Sequence, residues 1–370
     1  MLEEPDLQYK DVVKFESNVD LSKPTVDNAV LFSYNMFLKY LCAKGLNVLA
    51  DSGIPKAFIH KSIRPGQVSI AHNEAQVPNE PVTVLDVNSA YPAAESQIAV
   101  PIGLPRIITA SMSWDDVLSK PCFVVEANII KYNCQHELDK PMLGVHVLNN
   151  IDFEYLPIIV DKNIKPRGYY WDVVARGGLK AFVDKMFEVK MRDRELGKAM
   201  LNKHIGMFAK RYPLTYNKFT SFKDFKSHPL IKDSTPMENG TMYRFYHEFD
   251  YTYNFSMVYS LILSQAKYNN EKLFRYCHSK KIPMYYSSCD SLVIPTRCLH
   301  LMKQFIDESA IGKLKIEAQG DDAIFISWGF YYINNDKWCA QSHTHESIIA
   351  YCAKQNMTVR DYFVKRLKSS

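Results

Sequence analysis

The chain has 370 residues, 47% of them hydrophobic, and 45 basic against 40 acidic side chains leave a formal net charge of +5. That composition excludes a disordered polymer, and the length exceeds one small core, so two or three packed subdomains are expected. The mild basicity permits a nucleic-acid partner without requiring one.

The acidic start, MLEEPDLQYK, is no signal peptide, and no run approaches the ~18 apolar residues of a membrane span, so no membrane partner is expected. The eight cysteines are scattered without a CxxC pair. They read as free thiols of a reducing, cytoplasmic setting rather than as zinc ligands.

Residues 1–24 form a loose lead-in that ends at Pro24. TVDNAVLFSYNMFLKYLCAKG (25–45) carries apolar residues at helical spacing and stops at Gly45. Residues 52–80 read as a connector, and VTVLDVNSAYP (82–92) as a buried strand that breaks at Asn88-Ser89. Short strands such as CFVVEANIIKY are expected across 120–160, a helical region across 177–211 and an inserted hairpin across 212–255. SMVYSLILSQAKYNNEKLFRYCHSKK (256–281) is a strong helix that leads into MYYSSCDSLVIP (284–295), a hairpin with a polar turn. Two strands around Gly320 are expected across 313–335, and a basic helix, VRDYFVKRLKSS, closes the chain. Strands and helices mix without βαβ alternation, so the fold class is α+β.

Three groups of residues carry chemistry. Asp86 ends a buried strand, where a carboxylate is held rigidly enough to place a metal; the same Asp also suits a helix N-cap. Asp290 stands at the tip of the 284–295 hairpin, as an ordinary turn residue does too. Together, two such carboxylates suit a pair of Mg²⁺ ions that activate a hydroxyl and neutralise a leaving phosphate. The third group is the 189–211 segment, with seven Lys/Arg against two acids. Lys190, Arg194, Lys198 and Asn202 are spaced by four, and one helical face would present them together. A cationic row suits a triphosphate, and it equally suits a solvated surface.

The order of these pieces carries a resemblance. DVNSAYP, then KAMLNKHIG, then YSSCDS resembles motifs A, B and C of family B DNA polymerases, above all the protein-primed branch of bacteriophages and linear plasmids. That branch reads D-x-x-S-L-Y-P, K-x-x-x-N-S-x-Y-G and Y-x-D-T-D-S, and the match spans roughly residues 60–335. The resemblance implies a right-hand fold of palm, fingers and thumb. It implies Mg²⁺- or Mn²⁺-dependent transfer from dNTPs to a hydroxyl of a primer or a protein primer. By position, Asp86 and Asp290 would be catalytic and, with Val87, would hold two metal ions. Tyr91 would exclude a 2′-hydroxyl, and Lys190, Arg194, Lys198 and Asn202 would meet the nucleotide. Arg64 and Gly66, in IRPGQ, would contact DNA with Tyr286, Ser288, Tyr331, Lys210 and Arg211. The implied division is 1–62 as the end of an exonuclease domain plus linker, 63–185 palm with a first insertion, and 186–211 fingers. A second insertion would follow at 212–255, palm again at 256–335 and a short thumb at 336–370.

The chain departs from the pattern at several points. Ser288 replaces the first Asp of motif C, Lys203 and Ile205 replace the Ser and Tyr of motif B, and Gly329 replaces the Lys of Lys-x-Tyr. There is no room for an exonuclease domain, and Asn35 falls near its last metal-binding Asp. The expectation is therefore a template-directed DNA polymerase without its own proofreading, partnered by template-primer DNA and dNTPs. A terminal protein and a separate exonuclease subunit are expected as further partners, and a host cytoplasm as the setting if the chain is phage-encoded. The alternative is a catalytically degenerate polymerase-like protein that binds DNA or a replication partner. An RNA-synthesising enzyme is disfavoured by Tyr91.

Overall fold

A computed structural model describes residues 29–46, 48, 54–64, 66, 68–209, 211–220, 231–237, 240–250, 255–334, 337–341 and 343–368, and gives only the backbone course of 211–220, 231–237 and 240–250. The expected 1–24 lead-in lies outside the described residues.

The buried run VTVLDV becomes the middle of an antiparallel sheet. Its strands are β1 (Val68–Ile70), β2 (Val82–Val87), β3 (Tyr286–Ser288), β4 (Ser291–Pro295) and β5 (Leu314–Gly320), in the order β1-β3-β4-β2-β5. Side chains alternate between its two faces. Leu85, Leu292, Ile294 and Leu314 pack on one face against Cys277, Ile282, Cys298 and Met302. Val82, Val84, Tyr286 and Val293 pack on the other against Ala323, Phe325 and Ile333.

Five helices frame this sheet: α1 (Ala29–Ala43), α2 (Ala90–Gln97), α3 (Lys180–Arg192), α4 (Arg194–Lys203) and α5 (Ser256–Ser279). They share one core built around Phe37, whose ring centroid lies 4.7 Å from Phe208 and 5.6 Å from Phe182. The helical region expected across 177–211 is broken at Asp193, where φ −134° and ψ 101° leave the helical range. The Asp193 carboxylate then accepts from the Leu196 N–H at 3.0 Å and caps α4. Gly197 lets α4 fold back on α3, because a Cβ there would stand 2.1 Å from the Lys190 Cα.

A second antiparallel sheet covers 106–171, over a core of Trp114, Phe123, Val125, Ile129 and Leu148. It is pinned to α5 by Asn149, whose amide donates to Ser260 Oγ at 3.0 Å and Ser264 Oγ at 2.9 Å. The 212–255 insertion is three-stranded rather than a hairpin, with Gly240–Asp250 between Arg211–Thr220 and Ile231–Met237. The 313–335 region also exceeds its expectation of two strands. After β5 the chain turns against Ile333 at Gly320 and forms a separate sheet from Ala323–Ser327, Phe330–Ile333 and Lys337–Ala340. Helices His345–Lys354 and Val359–Leu367 back that sheet. No helix among the described residues is long and apolar enough to cross a membrane.

Candidate active site

Ser288 pairs with Ser291, so Cys289 and Asp290 form a two-residue loop, with Cys289 at φ +57°. Strand pairing sets Ser291 opposite Asp86 and Lys315 opposite Asp86 on the other side. Ser288, Ser291, Asp86 and Lys315 thus form one row across the exposed end of the sheet face. The Asp290 carbonyl accepts from the Val87 N–H at 2.9 Å, which ties the two carboxylate-bearing segments together. The Asn270 amide of α5 donates to the Cys289 carbonyl from behind. Burial, and next the Asp86 carboxylate, push the Asp290 carboxyl up to about 6, and Glu317 adds to this.

Two groups in this site were not singled out from sequence. Lys315 Nζ lies 2.8 Å from Asp86 Oδ2. Glu317, at an irregularity of β5, pairs with Lys337 at 2.5 Å. Their signal was the Lys-Ile-Glu alternation on a strand whose pairing with VLDV is not written locally.

The cationic row forms differently from its expectation. Lys190 lies in the last turn of α3, while Arg194, Lys198 and Asn202 ride on α4, so no single helical face carries all four. The fold-back at Gly197 nevertheless gathers the charges. Burial lowers the Lys190 pKa most, and Lys315, Arg194 and Lys198 lower it further. Lys190 Nζ donates to Asn88 Oδ1 and to Ser89 Oγ, both at 2.7 Å. Arg194 and Lys198 are exposed. Asn202 Oδ1 is buried without a hydrogen-bond partner.

Tyr91 opens α2 beside the hairpin, and burial, with Cys289 and Asp290 next, pushes its phenol upward. Gly66 is wedged between them, since a Cβ there would stand 2.5 Å from Cys289 Sγ and 3.0 Å from Tyr91 Oη. Lys267 lines the same crevice, and burial pulls it down to about 8.

Arg64, expected at the DNA surface, turns inward: its guanidinium pairs with the fully buried Asp152. Tyr286 is also buried, stacked on Phe325 at 5.4 Å, and its hydroxyl accepts from the Gly329 N–H at 2.8 Å. Tyr331 packs beside it at 5.2 Å. Lys210 and the side chain of Arg211 lie outside the described residues.

A second polar cluster sits behind the hairpin, where His136 Nε2 lies 3.0 Å from Glu271 Oε2 and 3.7 Å from Asp139 Oδ1. His136 Nδ1 accepts from the Leu138 N–H at 3.2 Å, which leaves the proton on Nε2, facing Glu271. Glu271 also accepts from Arg275 Nε at 2.8 Å. Glu271 thus accepts from both His136 and Arg275 and joins them in one hydrogen-bonded network.

At the sheet end the donors are carboxylate oxygens, the ligands of hard divalent cations. The upward push on Asp290, caused partly by Asp86, is the repulsion a shared cation relieves, and Lys315 already sets a cation on Asp86. The residues fit a Mg²⁺ or Mn²⁺ site.

Neither a protein-family model nor a curated protein sequence matches the chain. Solved structures do. Phi29 DNA polymerase complexed with primer-template DNA and incoming nucleotide substrates is similar at 17% identity and a TM-score of 0.62, over 94% of this chain and 64% of that one. Phi29 DNA polymerase complexed with single-stranded DNA is similar at 16% identity and a TM-score of 0.64, over the same shares. The chain thus spans about two thirds, 64%, of the length of the polymerase it matches. Its fold is α+β and polymerase-like, as expected from the motif order.

Proposed function

We propose that the chain is a template-directed DNA polymerase that transfers a nucleotide from a dNTP to the hydroxyl of a primer or a protein primer. The observation that carries this reading is the convergence of Asp86 and Asp290 at one sheet end, with Lys190, Arg194 and Lys198 gathered beside Asn88.

In the reaction the primer hydroxyl oxygen bonds to the α-phosphorus and the bond to the bridging oxygen of pyrophosphate breaks. The hydroxyl proton leaves to solvent or a nearby base. Asp86, Asp290 and the Val87 carbonyl would hold Mg²⁺ or Mn²⁺, which when bound neutralises developing charge and lowers the pKa of the attacking hydroxyl. The chain's own groups do the rest. Lys190, held by Asn88 and Ser89, orients the triphosphate with Arg194 and Lys198. Asn202 offers a buried acceptor that has no partner among the described residues. The Tyr91 ring, packed against Gly66 and Cys289, would exclude a 2′-hydroxyl.

Primer extension with the purified chain, the four dNTPs and Mg²⁺ or Mn²⁺ tests this reading, with Asp290→Ala as control. Extension that disappears in the variant is expected. No extension with either metal, alone or with a candidate protein primer, would sink it.

A further inference from the structure

A buried polar contact joins α2 to the end of α4. Glu95, on α2, and His204, directly after α4, are both 0% exposed. His204 Nε2 lies 3.2 and 3.1 Å from the two Glu95 carboxylate oxygens, and His204 Nδ1 lies 2.8 Å from the Met200 carbonyl. The rings of Phe182 and Phe208 meet the imidazole edge-on at 5.4 and 5.6 Å, so the pair sits among apolar walls. Ionisable side chains are rarely buried so completely unless they are paired.

The bonding pattern sets the proton count. A backbone carbonyl only accepts, so His204 Nδ1 carries a proton. The contact between Nε2 and Glu95 then holds one further proton, as an imidazolium against a carboxylate or as a neutral imidazole accepting from a carboxylic acid. In either form the pair is neutral as a whole and directional.

Its place gives it a task. Tyr91 and Glu95 are four residues apart on α2 and share one side of that helix. Met200 and His204 share the buried side of α4, and Lys198 and Asn202 form a neighbouring row. Holding Glu95 on His204 therefore holds Tyr91 at a set spacing and rotation from Lys198 and Asn202. An apolar contact would fill the same space but let the helices slide, and fixing register is the best-attested use of a buried polar pair.

We infer that Glu95 and His204 are positioning residues, a latch that sets the gap between Tyr91 and the Lys198–Asn202 row and so governs both nucleotide affinity and rejection of a 2′-hydroxyl. The inference rests on the polymerase reading above. Being fully buried, the pair acts through Tyr91 and Asn202 and not on the nucleotide itself.

Primer extension with dNTPs and, separately, with rNTPs reads the latch, alongside the Kd for primer-template and the melting temperature. Glu95→Leu breaks the contact. It is expected to raise the KM for dNTPs about five- to tenfold and to lower the preference for dNTPs over rNTPs about tenfold, with the Kd for primer-template unchanged. Glu95→Gln keeps a donor for a neutral His204 and is expected to restore most of both. Glu95→Leu also leaves a buried ring nitrogen unpaired, so the double variant Glu95→Leu/His204→Leu separates position from stability. It is expected to melt near wild type and still show the loss of affinity and preference. Wild-type KM and preference in a folded leucine variant would overturn the latch and leave the polymerase reading intact. So would a loss in Glu95→Gln as large as in Glu95→Leu. If neither leucine variant folds, the pair is a stability element and the latch is overturned as well. A wild-type chain that extends no primer would overturn both.

Discussion

The ammonium of Lys315 sits 2.8 Å from Oδ2 of Asp86, in the position a divalent cation would need to share. Any metal must therefore displace or neighbour a tethered charge. Lys315→Met is expected to tighten Mn²⁺ binding by about three- to tenfold, since a partly exposed competing charge is worth little more than 1 kcal/mol. Titration of free Mn²⁺ by electron paramagnetic resonance reads this directly. Unchanged or weaker binding would show that Lys315 supports the site rather than opposing the metal.

Asp290 should govern a pH effect in the metal-free chain. Its folded pKa is raised from 3.8 to about 6, so the folded state holds the proton longer than the unfolded state. Stability then falls as pH rises from about 4 to about 6, and the loss persists above that range. Asp290→Asn removes a charge that is costly only when ionised, so it is expected to stabilise the metal-free chain by about 1–3 kcal/mol at pH 8 and not at pH 4. Urea unfolding at the two pH values provides the measurement, and equal gains at both would refute the assignment.

Gly197→Ala tests the fold-back of α4 on α3. The new Cβ would meet backbone atoms of Lys190 at 2.1 and 2.3 Å, and a backbone cannot swing aside as a side chain can. A destabilisation of at least about 1–3 kcal/mol is expected. Lys190 should also lose its seat on Asn88 and Ser89, so the KM for dNTPs should rise more than that for primer-template. A variant with normal stability and normal KM would contradict the packing described.

Glu271→Gln removes the shared carboxylate of the buried network behind the hairpin. His136 and Arg275 both lean on it, and because Arg275 is 37% exposed the expected cost is about 1–2 kcal/mol, that of hydrogen bonds lost from a partly buried group. The His136 pKa is raised above its ordinary 6.5: burial, the largest single influence, lowers it, and Glu271, Asp139 and Glu137 together raise it more. Its stabilising share is therefore complete below pH 6.5 and is lost as pH rises through the higher folded value. The gap between wild type and variant should narrow at alkaline pH, and a pH-independent gap would count against the network.

The strongest local patterns were legible in sequence. The β2 run, the hairpin around Asp290, the long α5 and the α+β class are all specified by neighbours within a dozen residues. Lys315 and Glu317 were not, because their place depends on β5 pairing with β2, a contact more than 200 residues apart in sequence. Arg64 looked like a surface cation until the buried Asp152 was seen beneath it. The cationic row was misread because one residue, Asp193, turns a continuous helical period into two helices that then meet face to face. Close packing at Gly197 nevertheless reunites charges that helical spacing alone would have scattered.

The α5 helix touches both halves of the molecule. Ser260 and Ser264 hold the sheet of 106–171 through Asn149, while Asn270 and Glu271 hold the Asp290 hairpin and the network behind it. Eleven residues separate the first of these anchors from the last, and at 1.5 Å per residue the helix is a gauge about 17 Å long. It sets how far the Asp290 loop stands from that sheet, and in which rotational phase. One residue inserted between Ser264 and Asn270 would turn everything beyond it by about 100° and disengage both anchors at once. The spacing along α5 is thus a dimension of the candidate site, although no residue between the anchors is asked to do any chemistry.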